Sequence, residues 1–257
     1  MRANFKRYDN YPSLSKRQLE VIEGTLLGDA HLEIHKNGRH ASYRFEQTIR
    51  NREYVDHIHD FLKPFSNEVK DHIVDKTKWS KGMYELSCFK TCCHPEFTQI
   101  HSRWYKNKTK IIPQDIQLNW NKISYWFADD GCRKETTKKD MVICSQGFNF
   151  EEHKLLQKLL SDLNIKTSIN RRDNLFYLRI KSESYFMFID KIKPIVEKFK
   201  CFEHKVDVSR VSKNTNKLYS NKEKKEAMQM LNKGIDLNIV AKKIRCHPIT
   251  IKRWINA

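Results

Sequence analysis

The stretch ISYWFADDG, Ile123 to Gly131, is apolar and aromatic until it stops on two adjacent aspartates and a glycine. Taken alone, DDG reads as a solvated helix end closed by a glycine cap. Its meaning changes beside a second stretch, IEGTLLGDA, Ile22 to Ala30. Placing Ala30 over Gly131 puts Asp29 over Asp130 and Gly28 over Asp129. Gly24 and Gly28 stand four residues apart, on one helix face, where missing side chains admit another backbone. If the two helices pack along that face, Asp29 and Asp130 meet at their ends. Close carboxylates in a basic chain suit a hard divalent cation such as Mg²⁺, which keeps several waters and can bridge a phosphate. Ions about 4 Å apart, or sharing ligands, can activate water and stabilise the departing oxygen of a phosphodiester.

The elements around these stretches repeat in order. Ser15 and Gln18 form a capping-box pattern before the apolar face Leu19, Ile22, Leu26 and Leu27, so a helix is expected to end near Gly28. Alternating segments around Asn37-Gly38 predict a hairpin with Leu32, Ile34 and Phe45 buried, and Tyr54, Ile58, Phe61 and Leu62 predict a helix closed by Pro64. NEVKDHIVDKT and KGMYELSCF read as strands, and a further helix is expected from about Pro95 to Tyr105. The order recurs after residue 113, with a second hairpin turn at Asp173-Asn174. Each half therefore reads α-β-β-α-β-β-α. We divide the chain into a first repeat, 1–112, a second repeat, 113–208, a polar linker, 209–221, and a small all-α domain, 222–257. In that tail Met228, Leu231, Ile239, Val240, Ile244, Ile251 and Trp254 are the expected core of a helix-turn-helix module. Its last helix would present Ile249, Thr250, Lys252 and Arg253 to a major groove. A helical bundle that docks onto the main domain or onto another protein is the alternative.

Composition narrows the partner. The chain has 49 lysines and arginines against 31 acids, a net charge of +18, and its cations are interleaved with aromatic residues rather than gathered in one tail. A polyanion is the expected partner, because each cation that meets a phosphate releases condensed counterions. No apolar run of about 18 residues exists to span a bilayer, and the N-terminus lacks the apolar core of a signal peptide, so we expect an intracellular protein without a membrane partner. Seven cysteines without a secretion signal point to reduced thiols. Cys88, Cys92, Cys93 and His94 lack the paired short spacings of structural zinc modules and are expected to be ordinary thiols and a histidine.

Both acid-ended stretches resemble the signature helices of LAGLIDADG homing endonucleases, in the single-chain, two-repeat, omega-intron type. RFEQTIRNREYVDHI, KTKIIP and MVICSQGFNFEEHKLLQKLL extend the resemblance over most of residues 15–206. It implies an α+β fold in which two pseudo-symmetric αββαββα repeats form a DNA-binding saddle, with the helix-turn-helix appended. It implies a monomer that cuts both strands of a long asymmetric DNA site, with Mg²⁺ (or Mn²⁺ as substitute) and 3′ overhangs. It makes Asp29 and Asp130 direct metal ligands, with the carbonyls of Gly28 and Asp129 as additional ones. Lys110 and Lys205 match an active-site lysine, and Gln47 and Gln146 match water-ordering positions, with Glu46 and Thr48 as substitutes for Gln47. Tyr125 and Asp129 depart from the small residues of the signature.

For groove readout, strand parity nominates His31, Glu33, His35, Arg44 and Glu46 in the first half and Arg133, Lys138, Lys139, Arg171 and Arg179 in the second. Two other readings stay open: a nuclease-inactive DNA-binding regulator of the WhiA class, and an intron maturase that binds RNA. Retention of both Asp29 and Asp130 favours the endonuclease. Bacterial or phage-infected cytoplasm and the organelle matrix are equally compatible compartments.

Overall fold

Ser15 opens the first helix with a reciprocal cap: its hydroxyl accepts from the Gln18 amide, while the Gln18 side chain accepts from the Ser15 N–H. The computed structural model describes residues 12–36, 38–75, 82–135, 139–209, 220–244, 246 and 248–255. Helix α1 spans Lys16–Leu26, and from Val21 to Leu26 every residue is buried. A hairpin follows, β1 His31–Ile34 and β2 Ala41–Thr48, then α2 Arg52–Phe61. Strands β3 Lys70–Asp75 and β4 Met83–Lys90 lead to α3 Pro95–Trp104. A short ribbon, β5 Tyr105–Lys106 and β6 Thr109–Lys110, then carries the chain to α4, Trp120–Asp130.

The second repeat runs β7 Gly131–Glu135, β8 Asp140–Ile143, α5 Phe150–Asp162, β9 Thr167–Arg172, β10 Leu175–Ile180 and α6 Tyr185–Val196. It closes with the four-residue helix α7, Glu203–Val206. The two sheets have the same antiparallel topology, β1-β2-β4-β3 and β7-β8-β10-β9. At the β9–β10 turn Asp173 and Asn174 both take positive φ, 50° and 67°, as a two-residue hairpin turn requires. Asn107 and Lys108 do the same in the β5–β6 ribbon, at 50° and 66°, a turn without the usual glycine.

One hydrophobic core passes through both repeats, from Tyr43, Phe45 and Trp104 to Trp126, Leu156 and Phe188. Tyr54 of α2 packs edge-on against Phe199 and Phe202, beyond α6, at 4.9 and 5.1 Å between ring centroids. Ile34 departs from expectation: at the end of its short strand it is 40% exposed, while Leu32 and Phe45 are buried.

The two halves are held closest where α1 meets α4. A Cβ at Gly24 would stand 2.8 Å from the carbonyl oxygen of Lys122, and one at Gly28 would stand 2.5 Å from the Asp129 Cβ. Glycine therefore appears on one helix, while Tyr125 and Asp129 fill the space from the other. At the opposite end of the helix pair, buried Glu23 meets buried Lys122 at 2.5 Å and Arg103 at 3.2 Å. Glu20 accepts from the side-chain amides of Asn119 and Asn121 at 2.8 and 2.7 Å. These contacts fix the sliding register of the helices, because a one-turn slip would strand the Glu23 and Lys122 charges without partners.

Residues 212–257 form a separate compact unit. It contains α8 Asn221–Asn232, α9 Leu237–Ile244 and α10 Pro248–Ile255, with Gly234 at φ 79° between the first two and Pro248 at the first position of the last. Ala227, Met230, Val240, Ala241, Ile244 and Ile251 form its core. Ile239 is 60% exposed, and Met228 yields to Ala227 and Met230, because α8 turns a face one residue away from the expected one inward.

Gly24→Ala should lower stability by about 1–3 kcal/mol, since the new methyl meets backbone rather than a movable side chain. Urea unfolding reads this directly, and an unchanged midpoint would show that α1 and α4 part without cost.

Candidate active site

The C-terminal ends of α1 and α4 converge, and each helix end is the negative pole of its dipole. Three carboxylates add to that charge. Asp29 is exposed just past α1, and Asp129 and Asp130 are the last residues of α4, each only partly exposed. Asp129 turns across the interface, where its Oδ2 accepts from the Asp29 N–H at 3.2 Å, and its Oδ1 is buried without a hydrogen-bond partner. The Tyr54 hydroxyl lies close enough to ease this charge without satisfying that oxygen.

Electrostatics follow from this crowding. Burial, then the neighbouring Asp29 and Asp130, push the Asp129 carboxyl well above the ordinary range. Burial and Asp29 also push Asp130 up to about 7, against the opposing pull of Lys110 and Lys205. Those lysines occupy equivalent places. The Lys110 ammonium, carried by β6, donates to the carbonyls of Leu26, Gly28 and Ala30 at 3.0, 2.8 and 2.9 Å. The Lys205 ammonium, carried by α7, donates to the carbonyls of Ala128 and Asp129. Burial lowers the pKa of both. Each lysine thus caps a helix end, so the Gly28 and Asp129 carbonyls named as metal ligands already accept an ammonium.

The donor set fits a hard divalent cation. Three carboxylates and two helix ends face two ammonium groups, and one carboxylate oxygen is buried unsatisfied. The three acids do not close around a single point, which suits an ion that keeps water and shares a phosphate rather than one held in a protein cage. Asp29 and Asp130 would hold it, with Asp129 behind them.

Among the residues beside the aspartates, Gln47 contacts Asp29: its Nε2 donates to Asp29 Oδ2 at 2.6 Å. Gln47 is itself held by Asn51 at 3.1 Å. Glu46 and Thr48 have the opposite strand parity. The second half differs from expectation. His31 pairs with Arg44, and its counterpart Cys132 pairs with Val142, so three residues on Gln47 corresponds to Ser145 rather than Gln146. Ser145 is buried and bonded to His153 Nε2 at 2.9 Å. Gln146 is exposed and bonds toward the Cys144 thiol.

The open face of the first sheet, opposite the core residues Tyr43, Phe45 and Phe89, carries His31, Glu33, Arg44 and Glu46, with exposed His35 just past β1. The alternation of β3 and β4 places Lys70, His72 and Lys90 on the same face. The same period of two marks them in the sequence, whereas the first-half groove candidates lie on the β1–β2 hairpin alone. Lys90 pairs with Glu33, and Arg44 pairs with Glu46 at 2.8 Å.

In the second sheet Arg179 lies on the open face and pairs with Asp140 at 2.8 Å. Arg133 and Arg171 do not. Arg133 shares the face of buried Met141 and lies 3.4 Å from the His204 carbonyl, while Arg171 shares the face of Phe176. The Lys139 ammonium sits 4.6 Å from the Phe186 ring centroid, on the helix side. Ser168, Asn170 and Tyr177 take the open positions instead. Lys138 lies outside the described residues. In α10, Ile249, Lys252 and Arg253 are exposed and Thr250 is half-buried.

Two copies of one αββαββα unit, joined by paired helices that end in carboxylates and capping lysines, define a pseudo-symmetric two-repeat protein with an acidic centre. Residues 19–188 match the LAGLIDADG DNA endonuclease family, and the chain belongs to it. It is 29% identical over 204 residues to a probable intron-encoded endonuclease of Wickerhamomyces canadensis, covering 72% of this chain and 83% of that protein. It is 27% identical to the DNA endonuclease I-ChuI of Chlamydomonas applanata, covering 76% and 96%, and 26% identical to a cytochrome b mRNA maturase of Debaryomyces hansenii, covering 71% of each. The fold is that of the homing endonuclease I-WcaI bound to its DNA recognition sequence, with a TM-score of 0.71, 24% identity and coverage of 78% and 90%. No helix among the described residues is long and apolar enough to cross a membrane.

The raised carboxyl predicts a pH effect in the metal-free protein. Between the unfolded value of 3.8 and about 7, folded Asp130 keeps a proton that the unfolded chain has released. Stability should therefore fall as pH rises through that window, by at most about 1.4 kcal/mol per unit from this group. Denaturant melts in EDTA at several pH values should show a shallower slope for Asp130→Asn than for wild type; equal slopes would contradict the buried, proton-holding Asp130.

Proposed function

We propose that the protein is a site-specific DNA homing endonuclease that hydrolyses one phosphodiester in each strand of a long asymmetric target, leaving 3′ overhangs. One observation carries this reading: Asp29 and Asp130 stand at equivalent helix ends, each beside a capping lysine, at the junction of two matching sheets. Mg²⁺, or Mn²⁺ in its place, would supply Lewis acidity for the attacking water and the departing oxygen.

The chain's own residues do the remaining work. Asp29 and Asp130 would hold the cation with one acid from each repeat, which matches two cuts related by pseudo-symmetry. Gln47 orients Asp29 and leaves its amide oxygen on Asn51. Lys110 and Lys205 hold positive charge where phosphate would lie, and they stabilise the extra negative charge that builds up during attack. Because buried Ser145, already bonded to His153, stands where the first half has Gln47, the two strands meet unequal polar surroundings. The open sheet faces, with Arg44, Lys70, Lys90 and Arg179, fit double-stranded DNA in the major groove, as a saddle. Both repeats lie in one chain, so a monomer suffices. The helix-turn-helix would lengthen the footprint through Ile249, Thr250, Lys252 and Arg253.

Sequence similarity to cytochrome b mRNA maturases supports a second reading, in which the same fold binds intron RNA and assists splicing.

Cleavage of a randomised plasmid library with Mg²⁺ and with EDTA, followed by sequencing of the ends, should give metal-dependent cuts at one extended motif. Specific retention of that DNA without cuts would favour the maturase. Asp29→Asn or Asp130→Asn should lower the cleavage rate by on the order of 100-fold or more, with the Kd for the target little changed. Full activity in either variant would remove the metal assignment. Deleting residues beyond 208 should weaken DNA binding and flatten its salt dependence, whereas an unchanged isotherm would show that the tail does not touch DNA.

A further inference from the structure

The open face of the first sheet carries a second cluster of metal-binding chemistry. Glu46 of β2, His72 of β3 and Cys88 of β4 come from three adjacent strands, with one ligand atom from each lying within 4.8 Å of the others. Glu46 pairs directly with Cys88 in the ladder, and Cys88 with Lys70, so His72 reaches Cys88 from the next position on its own face. The His72 Nδ1 is 3.7 Å from the Cys88 sulfur, and its Nε2 is 3.5 Å from a Glu46 oxygen. All three side chains are half-buried.

We propose that Glu46, His72 and Cys88 form a binding site for a borderline-soft divalent ion of the Zn²⁺ class. The donor set of thiolate, imidazole and carboxylate is that of zinc and excludes the hard Mg²⁺ assigned to the aspartates. Zn–S and Zn–N bonds of roughly 2.3 and 2.05 Å place sulfur and nitrogen about 3.6 Å apart in a tetrahedron, close to the separation between Cys88 and His72. With Nδ1 as the ligand, the Glu46 carboxylate, which meets Nε2 and shares its Oε2 with Arg44, must swing toward the Cys88 side of the ring. A fourth position faces the open side of the sheet and is left to water or to an acceptor on a ligand.

The charge balance also favours the ion. Binding releases the Cys88 thiol proton to solvent, and one thiolate and one carboxylate then neutralise the divalent charge. The ion meets a Glu46 carboxylate already paired with Arg44, on a face whose other groups include Lys70 and Lys90. It also ties the edge strand β3 to β2 across β4. Local spacing could not show this, because β4 ends at Lys90, before buried Cys92 and His94, while Cys88 meets residues of two other strands.

The test uses the full chain, stripped of metal and titrated with Co²⁺. Tetrahedral thiolate ligation gives a near-ultraviolet charge-transfer band and visible d–d absorption, and Zn²⁺ should bleach both at one equivalent. Cys88→Ser should abolish the charge-transfer band. His72→Gln should weaken Co²⁺ binding by at least the roughly 10–100-fold that loss of even a second-shell partner costs. Asp130→Asn and Cys132→Ser should keep the band, which separates this site from the acidic centre and from the thiols beside it. Far-ultraviolet circular dichroism checks the fold of each variant, and His72→Gln decides the matter if Cys88→Ser does not fold. The absence of a thiolate band in wild type, or a band that survives Cys88→Ser or responds only to Cys132→Ser, would overturn the site.

Discussion

The contact between Gly24 and the backbone of Lys122 governs the distances in the acidic centre. It lets α1 and α4 lie so close that their ends, and the aspartates there, cannot avoid each other. Repulsion among three carboxylates at two negative helix poles opposes that approach. The fold offsets it in two ways that do not depend on a bound ion. Burial raises the proton affinity of Asp129 and Asp130, and two lysines cap the exposed carbonyls. The buried Glu23–Lys122 pair at the other end of the helices then prevents relief by sliding. Strain is concentrated where charge is useful, and the polar clasp keeps it there.

The pseudo-symmetry is real in topology and broken in chemistry. Both sheets have the same strand order, and the two lysines reach the equivalent Gly28 and Asp129 carbonyls, yet they arrive on different elements, a two-stranded ribbon and a single helical turn. Glycine stands at Gly28 where the other helix has Asp129, so one helix is the socket and the other the plug. Gln47 has Ser145 as its counterpart, and Ser145 is committed to His153. An asymmetric centre of this kind suits an asymmetric partner, because each half can be tuned without the other.

Much of this was legible in the residues. The Ser15 capping pattern, the alternation of β1 and β2 and the Asp173-Asn174 turn are local signals, and each forms as its local physics requires. Asp29 and Asp130 emerged from comparing two helix ends, a comparison that needs no distances. What escaped was set by tertiary context. Asn107 and Lys108 turn a ribbon at positive φ without glycine, so nothing marks it, and that ribbon delivers Lys110. Arg133 was legible after all: plain alternation from Gly131 sets Cys132 on the open face and Arg133 on the core face, before the register irregularity that follows it. The one-residue difference between Ser145 and Gln146 depends on pairing across strands, which periodicity alone does not resolve. Ile34 and Ile239 show the remaining limit: apolar character states a preference for burial, and the end of a strand or helix can leave it unmet.

The placement of Lys205 bears on how the molecule comes into being. Helix α7 is the last element of the larger unit, and its lysine closes the end of α4 from 77 residues downstream of Ala128. Synthesis proceeds from the N-terminus, so Asp29, Gln47, Lys110 and Asp130 all leave the ribosome before their final counter-charge does. Until residue 205 has emerged, the helix pair carries its acids with one ammonium cap in place of two. Assembly of the acidic centre is thereby coupled to near-completion of the unit that contains it, and a stalled or prematurely ended chain presents DNA with basic strands but an unfinished centre.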